Sequence, residues 1–130
     1  MFVKDWGKYK NFNEAEFRCS HSNQAYMTIE FMEKLQAMRT ELGRPMKINS
    51  GYRSPEHPIE KAKDRRGEHT YGCAADIQCS PGEAIEIVGL AIKHGFTRIG
   101  INQKGPYAGR FIHVGLGYDD LFPRNVMWSY

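Results

Sequence analysis

Cysteine is scarce in this chain. It occurs three times, as Cys19, Cys73 and Cys79, an odd number with no CxxC pair. Such usage excludes a disulfide framework. Nothing local marks Cys73 or Cys79 as an activated thiol, and both read as small buried residues. Long apolar runs are also missing, so no segment reaches the roughly 20 residues that a membrane-spanning helix needs. No charge sign dominates: 18 Lys and Arg stand against 15 Asp and Glu, a net charge of +3. The dense basic patch of a nucleic-acid-binding domain is therefore absent, and the mild positive balance suits an anionic partner. The opening stretch MFVKDWGKYKNF lacks the apolar core of a signal peptide. The expectation is a protein of the cytoplasm, or one that leaves it by a route needing no such peptide. Internal repeats and low-complexity tracts are absent.

What is present is enough for one domain over residues 1–130, with 41% hydrophobic residues to build a core. Asn13 is placed to cap a single turn, Glu14 to Phe17. A helix is expected from Thr28, its N-cap, with Ile29, Met32, Leu35, Met38 and Leu42 at helical spacing and Gly43 and Pro45 as the stop. Met46–Ser50 alternates as a strand and runs into a loop, Gly51 to His57. Residues 58–68 read as a charged, mobile connection. Ala74–Cys79 is the second strand. Ser80, Pro81 and Glu83 form a capping box for a second long helix that carries Ala84, Ile85, Ile87, Val88, Ala91 and Ile92 and ends near Gly95. Phe96–Asn102 and Arg110–Gly115 read as a hairpin around a glycine-proline turn. The last fifteen residues show no period, and Trp128 and Tyr130 are expected to fold back over the body.

The chemistry concentrates in Gly67–Ile77, GEHTYGCAADI. His69 and Asp76 lie seven positions apart, with Gly72 and small residues between them that permit close backbone approach. Asp76 sits on an apolar strand, where an unpaired carboxylate is costly; a metal or an arginine would satisfy it. His113 lies in a second apolar strand, on the face opposite Ile112 and Val114. Two histidines and one carboxylate make a three-ligand set for a catalytic zinc with one position left open. Arg53, at the end of a strand, can hold a carboxylate by a two-pronged hydrogen bond or form a surface ion pair. His21 reads as an exposed loop residue, and His94 as a helix-terminal one.

Three blocks now carry a resemblance: Ser50-Gly51-Tyr52-Arg53-Ser54-Pro55-Glu56-His57, His69-Thr70-Tyr71-Gly72-Cys73-Ala74-Ala75-Asp76-Ile77, and Phe111-Ile112-His113-Val114. Together they resemble the zinc D-Ala-D-Ala carboxypeptidase family, of the superfamily that includes lysostaphin-type peptidases and the hedgehog domain. The likeness spans about residues 12–117, and its most specific part is the His-x6-Asp spacing with an internal glycine. It implies a small α+β domain with flanking helices and an antiparallel sheet carrying a zinc site. The implied ligands are His69, Asp76 and His113, and Arg53 would bind a substrate carboxylate or the scissile carbonyl. Peptidoglycan stem peptides are the implied partner, cut by a phage-encoded, monomeric lysis enzyme of the host cytoplasm or the virion. The closing Met127-Trp128-Ser129-Tyr130 is similar to tails of such phage proteins. Relatives commonly carry an acid three positions before the last histidine or two after it. Arg110 and Gly115 stand there in this chain. The usual general base is therefore not in its place; the alternatives are Glu68, Asp119 or Asp120 as a substitute, or metal-bound hydroxide acting with little help. Pro58 also departs from the asparagine common in relatives. The rival expectation is a catalytically impaired, zinc-stabilised virion, tail or wall-binding module.

Overall fold

A computed structural model describes residues 1–130. The main helix α1, Ile29–Leu42, starts where the Thr28 side chain accepts a hydrogen bond from the Phe31 amide, and ends at Gly43 in the left-handed conformation. Helix α3, Pro81–Lys93, opens with both halves of the Ser80/Glu83 capping box in place. A smaller capping box, Asn13 with Glu16, starts the 3-10 turn Glu14–Phe17. These starts are set by residues three apart, which can pair before any tertiary contact exists.

Five strands form one sheet: β1 Lys47–Ser50, β2 Ala74–Gln78, β3 Arg98–Asn102, β4 Phe111–Gly115 and β5 Val126–Ser129. Their order is β1-β2-β4-β3-β5. The first four pair antiparallel, as expected. The sheet is nevertheless mixed, because β5 runs parallel to β3. The tail that showed no period is therefore an edge strand. Its pairing is with a distant segment, which short-range alternation cannot announce.

One face of the sheet carries Ile77, Ile99, Ile112 and Val114, all buried beneath α1 and α3 together with Phe31, Met32, Leu35, Ile87 and Ala91. Burial of this apolar surface is the main force holding the layers together. Helix α3 buries less than its sequence suggests: Ile85 is 79% exposed and Ile92 57% exposed. Only the stripe of Ala84, Ile87 and Ala91 is buried, which is what one contact face of a helix can present. The stretch after His57 is also not a bare connection. It contains a short helix, α2, Pro58–Lys61, capped by His57 Nδ1, and its Glu60 is wholly buried.

The opposite sheet face carries Asp76, His113 and Gly100 side by side on β2, β4 and β3. Before β2, the chain turns through the 3-10 segment Glu68–Tyr71 and reverses at Gly72, φ +71°. A Cβ at Gly72 would overlap the carbonyl oxygen of Tyr26. Gly72→Ala is therefore expected to lower stability by more than about 1 kcal/mol, read as a reduced midpoint in urea unfolding.

Candidate metal centre

Asp76 and His113 are direct cross-strand partners in the β2–β4 ladder. Because side chains alternate along a strand, this register puts both on the face away from the helices. The Asp76 Oδ1 atom lies 3.0 Å from His113 Nδ1. His69 arrives from the 3-10 turn, with its Nε2 3.5 Å from the same Oδ1. One ligand atom from each residue lies within 4.8 Å of the others, and all three residues are buried.

The backbone holds His69 firmly. Its Nδ1–H donates to the Gly51 carbonyl at 2.7 Å, and its own carbonyl accepts from the Arg53 amide at 3.2 Å. Since a carbonyl only accepts, Nδ1 carries a proton, and Nε2, which faces Asp76, is the nitrogen left to bind a metal. Gly51 approaches the 3-10 turn at Phe17 so closely that a Cβ would lie 2.8 Å from Phe17 Cα. The loop that carries Arg53 is thus clamped between Phe17 and His69.

These donors fit a zinc ion. Tetrahedral zinc with bonds near 2.0–2.1 Å requires donor separations of roughly 3.3 Å, and the two pairs through Asp76 stand at 3.0 and 3.5 Å. Burial by itself would raise the Asp76 pKa, but the two histidines outweigh it and hold the carboxyl well below the usual aspartate range. Burial would lower His113, yet hydrogen bonds to Asp76 and Glu68 bring it above the ordinary imidazole value. A buried acceptor facing two imidazole nitrogens is already arranged for a cation.

The centre lies in a cavity of about 380 Å³. Arg53, Lys63 and Arg98 bring positive charge to its wall, while Phe111, Phe122, Trp128 and Tyr130 bring aromatic surface. Trp128 comes from β5 and lies against Gly100, where a Cβ would be 2.7 Å from its ring. Its ring centroid is 5.1 Å from that of His113. The Arg98 guanidinium sits 5.0 Å from the Trp128 centroid and 5.2 Å from that of Phe122.

Arg53 is not a surface residue. Its side chain is 17% exposed, with NH1 3.0 Å from Glu60 Oε2 and NH2 3.6 Å from Asp76 Oδ2. The Glu60 carboxylate also accepts from Lys63 at 3.0 Å and from the Gly67 amide at 2.7 Å. It therefore ties Arg53, α2 and the turn before His69 together. Burial pushes the Glu60 pKa up, but these hydrogen bonds prevail and bring it down to about 2. Sequence reading missed Glu60 because it stands in a run of charges. Its one signal is the Pro58 start of a helical turn, which lets one side of that turn face inward.

The three carboxylates named as substitute bases are placed differently. Glu68 is 3% exposed and lines the cavity. Asp119 and Asp120 lie on the exposed 3-10 turn Asp119–Leu121 and do not line it. Glu68 Oε1 contacts His113 Nε2 at 2.5 Å and Arg98 Nε at 3.0 Å, while Oε2 accepts from the Gly117 amide at 3.0 Å. Neither cysteine beside Asp76 is activated. Burial pushes the Cys73 thiol up to about 12 and that of Cys79 to about 11. His21 is exposed, with its ring 6.2 Å from that of His57, and His94 pairs with Glu41 on the surface.

Fold and donor set together define a small α+β domain with a buried site for a divalent cation. The chain belongs to the Peptidase M15 family, whose profile matches residues 10–115. It is similar to the zinc D-Ala-D-Ala carboxypeptidase of Streptomyces albus G, with 36% identity over 69 residues. That stretch is 52% of this chain and 27% of the relative, so the match spans about a quarter of the relative's length.

The Glu60 cluster has a pH signature. Its depressed pKa contributes stability that is present in full above the ordinary value of 4.5 and is lost as pH falls toward about 2. Glu60→Gln should lower stability at neutral pH by about 3 kcal/mol, because Arg53 loses a buried partner. Urea midpoints measured from about pH 5 down to about pH 2 should fall less steeply in the variant than in the parent.

Proposed function

We propose that this chain is a zinc peptidase that hydrolyses amide bonds in the peptides of bacterial peptidoglycan. It either releases a terminal D-alanine or cuts within the stem. The observation that carries this reading is the convergence of His69, Asp76 and His113 on the wall of a cavity that Arg53 and Lys63 also line. Family membership and the carboxypeptidase relative support the same substrate class.

On this reading the two histidines and Asp76 are the metal ligands. A zinc ion held by these three residues would supply Lewis acidity toward the scissile carbonyl. Arg53, held in place by Glu60, offers its guanidinium to a substrate carboxylate or to the oxygen on which charge develops. Phe111, Trp128 and Tyr130, packed edge to face, form an aromatic wall against which a peptide can lie and exclude water. A monomeric, phage-encoded lysis enzyme completes the reading. It reaches the wall from the host cytoplasm or on the virion.

One observation favours a second reading. Two carboxylates line the cavity, and both are engaged: Asp76 with Arg53 and the histidines, Glu68 with His113, Arg98 and Gly117. No uncommitted carboxylate stands there to carry a proton. The domain would then be a zinc-stabilised module that binds cell wall or forms part of a virion.

Mass spectrometry of muropeptides and of synthetic stem peptides, after incubation with zinc-loaded protein, separates the two readings. The peptidase reading expects release of D-alanine or of stem fragments, abolished by a chelator. His113→Ala should lose zinc retention and turnover together. Intact substrates, with protein co-sedimenting with purified walls, would establish the second reading in place of the first.

A further inference from the structure

We infer that Glu68 is a positioning residue that fixes the ring of His113, and that Gly115 is the residue that makes room for it. The inference rests on reading His113 as a metal ligand. The His113 imidazole is held at both nitrogens: Nδ1 is turned to Asp76 at 3.0 Å, and Nε2 to Glu68 at 2.5 Å. Both nitrogens face a carboxylate, and an ionised carboxylate only accepts; with a cation held at Nδ1, the proton of the ring is on Nε2, which donates it to Glu68. The Nδ1 lone pair is then presented on the side where His69 and Asp76 lie. A carboxylate behind a metal-binding imidazole sets its tautomer and angle and raises its basicity. Glu68 lies across the ring from the cation site, with both oxygens already bonded.

Gly115 explains how a glutamate from the 3-10 turn reaches this place. Residue 115 is two positions beyond His113 on β4, so it faces the same side of the sheet. A Cβ at Gly115 would overlap both oxygens and the carboxyl carbon of Glu68. Glu68 therefore occupies the space into which any side chain at 115 would grow. Conversely, an acidic side chain at 115 would enter the space behind the His113 ring if Glu68 were shortened. Positions 68 and 115 thus act as one unit: a long acid at 68 requires glycine at 115, and an acid at 115 requires a short residue at 68.

Zinc affinity measured by competition with a chromophoric chelator tests this, alongside the tautomer of His113 read from long-range 1H–15N spectra. The parent protein should bind zinc with an Nε2–H tautomer at His113. Absence of zinc binding by the parent would overturn the metal-centre reading itself. Glu68→Gln keeps the size of the side chain and should bind zinc about 10- to 100-fold more weakly. Gly115→Asp alone should also weaken binding, since it crowds Glu68 with a second carboxylate. The double variant Glu68→Ala with Gly115→Asp should recover at least about tenfold of the affinity that Glu68→Ala loses, with the Nε2–H tautomer restored. A purely structural role, bracing Arg98 and Gly117, would move unfolding midpoints but not the tautomer. Parent-like zinc affinity in Glu68→Gln, or a double variant that binds no better than Glu68→Ala, would overturn the inference.

Discussion

A carboxylate 5% exposed in the second strand of a sheet is the constraint around which this protein is built. Asp76 cannot remain ionised there without partners, because removing a charge from water costs several kcal/mol. Its partners come from three separate segments: His113 from β4, His69 from the 3-10 turn, and Arg53 from the loop after β1. The same arrangement that compensates the charge prepares a cation site, since both histidine nitrogens already face an anionic oxygen.

The supporting features have local physical reasons. Gly51 lets the Arg53 loop approach Phe17, and its carbonyl sets the His69 tautomer. Gly72 reverses the chain between His69 and β2. Gly100 admits the Trp128 ring beside His113. At each place a glycine lies where a neighbour approaches too closely for a Cβ, so the site owes its compactness to missing side chains as much as to present ones.

Buried charge is distributed as two linked clusters. Glu60 gathers Arg53, Lys63 and the Gly67 amide; Glu68 gathers His113, Arg98 and the Gly117 amide. Each glutamate is nearly or fully inaccessible, and each binds cationic side chains that line the cavity. Removing one partner from such a cluster leaves an uncompensated charge, which ties the integrity of the site to the stability of the fold.

Much of this was legible in the residues alone. Caps at Asn13, Thr28 and Ser80 act over three positions, and the strand alternation that carries Asp76 and His113 acts over two, so short windows of sequence contain them. The His-x6-Asp spacing and Arg53 were likewise visible as chemistry. Three things were decided only by the folded chain. β5 is a strand because β3 offers it an edge. Glu60 is buried because Arg53 and Gly67 meet it. Asp76 and His113 are opposite each other because the register of β2 on β4 aligns residues 37 positions apart in the chain. Pairing between distant segments is selected by burial of the whole sheet face, and no local pattern encodes it.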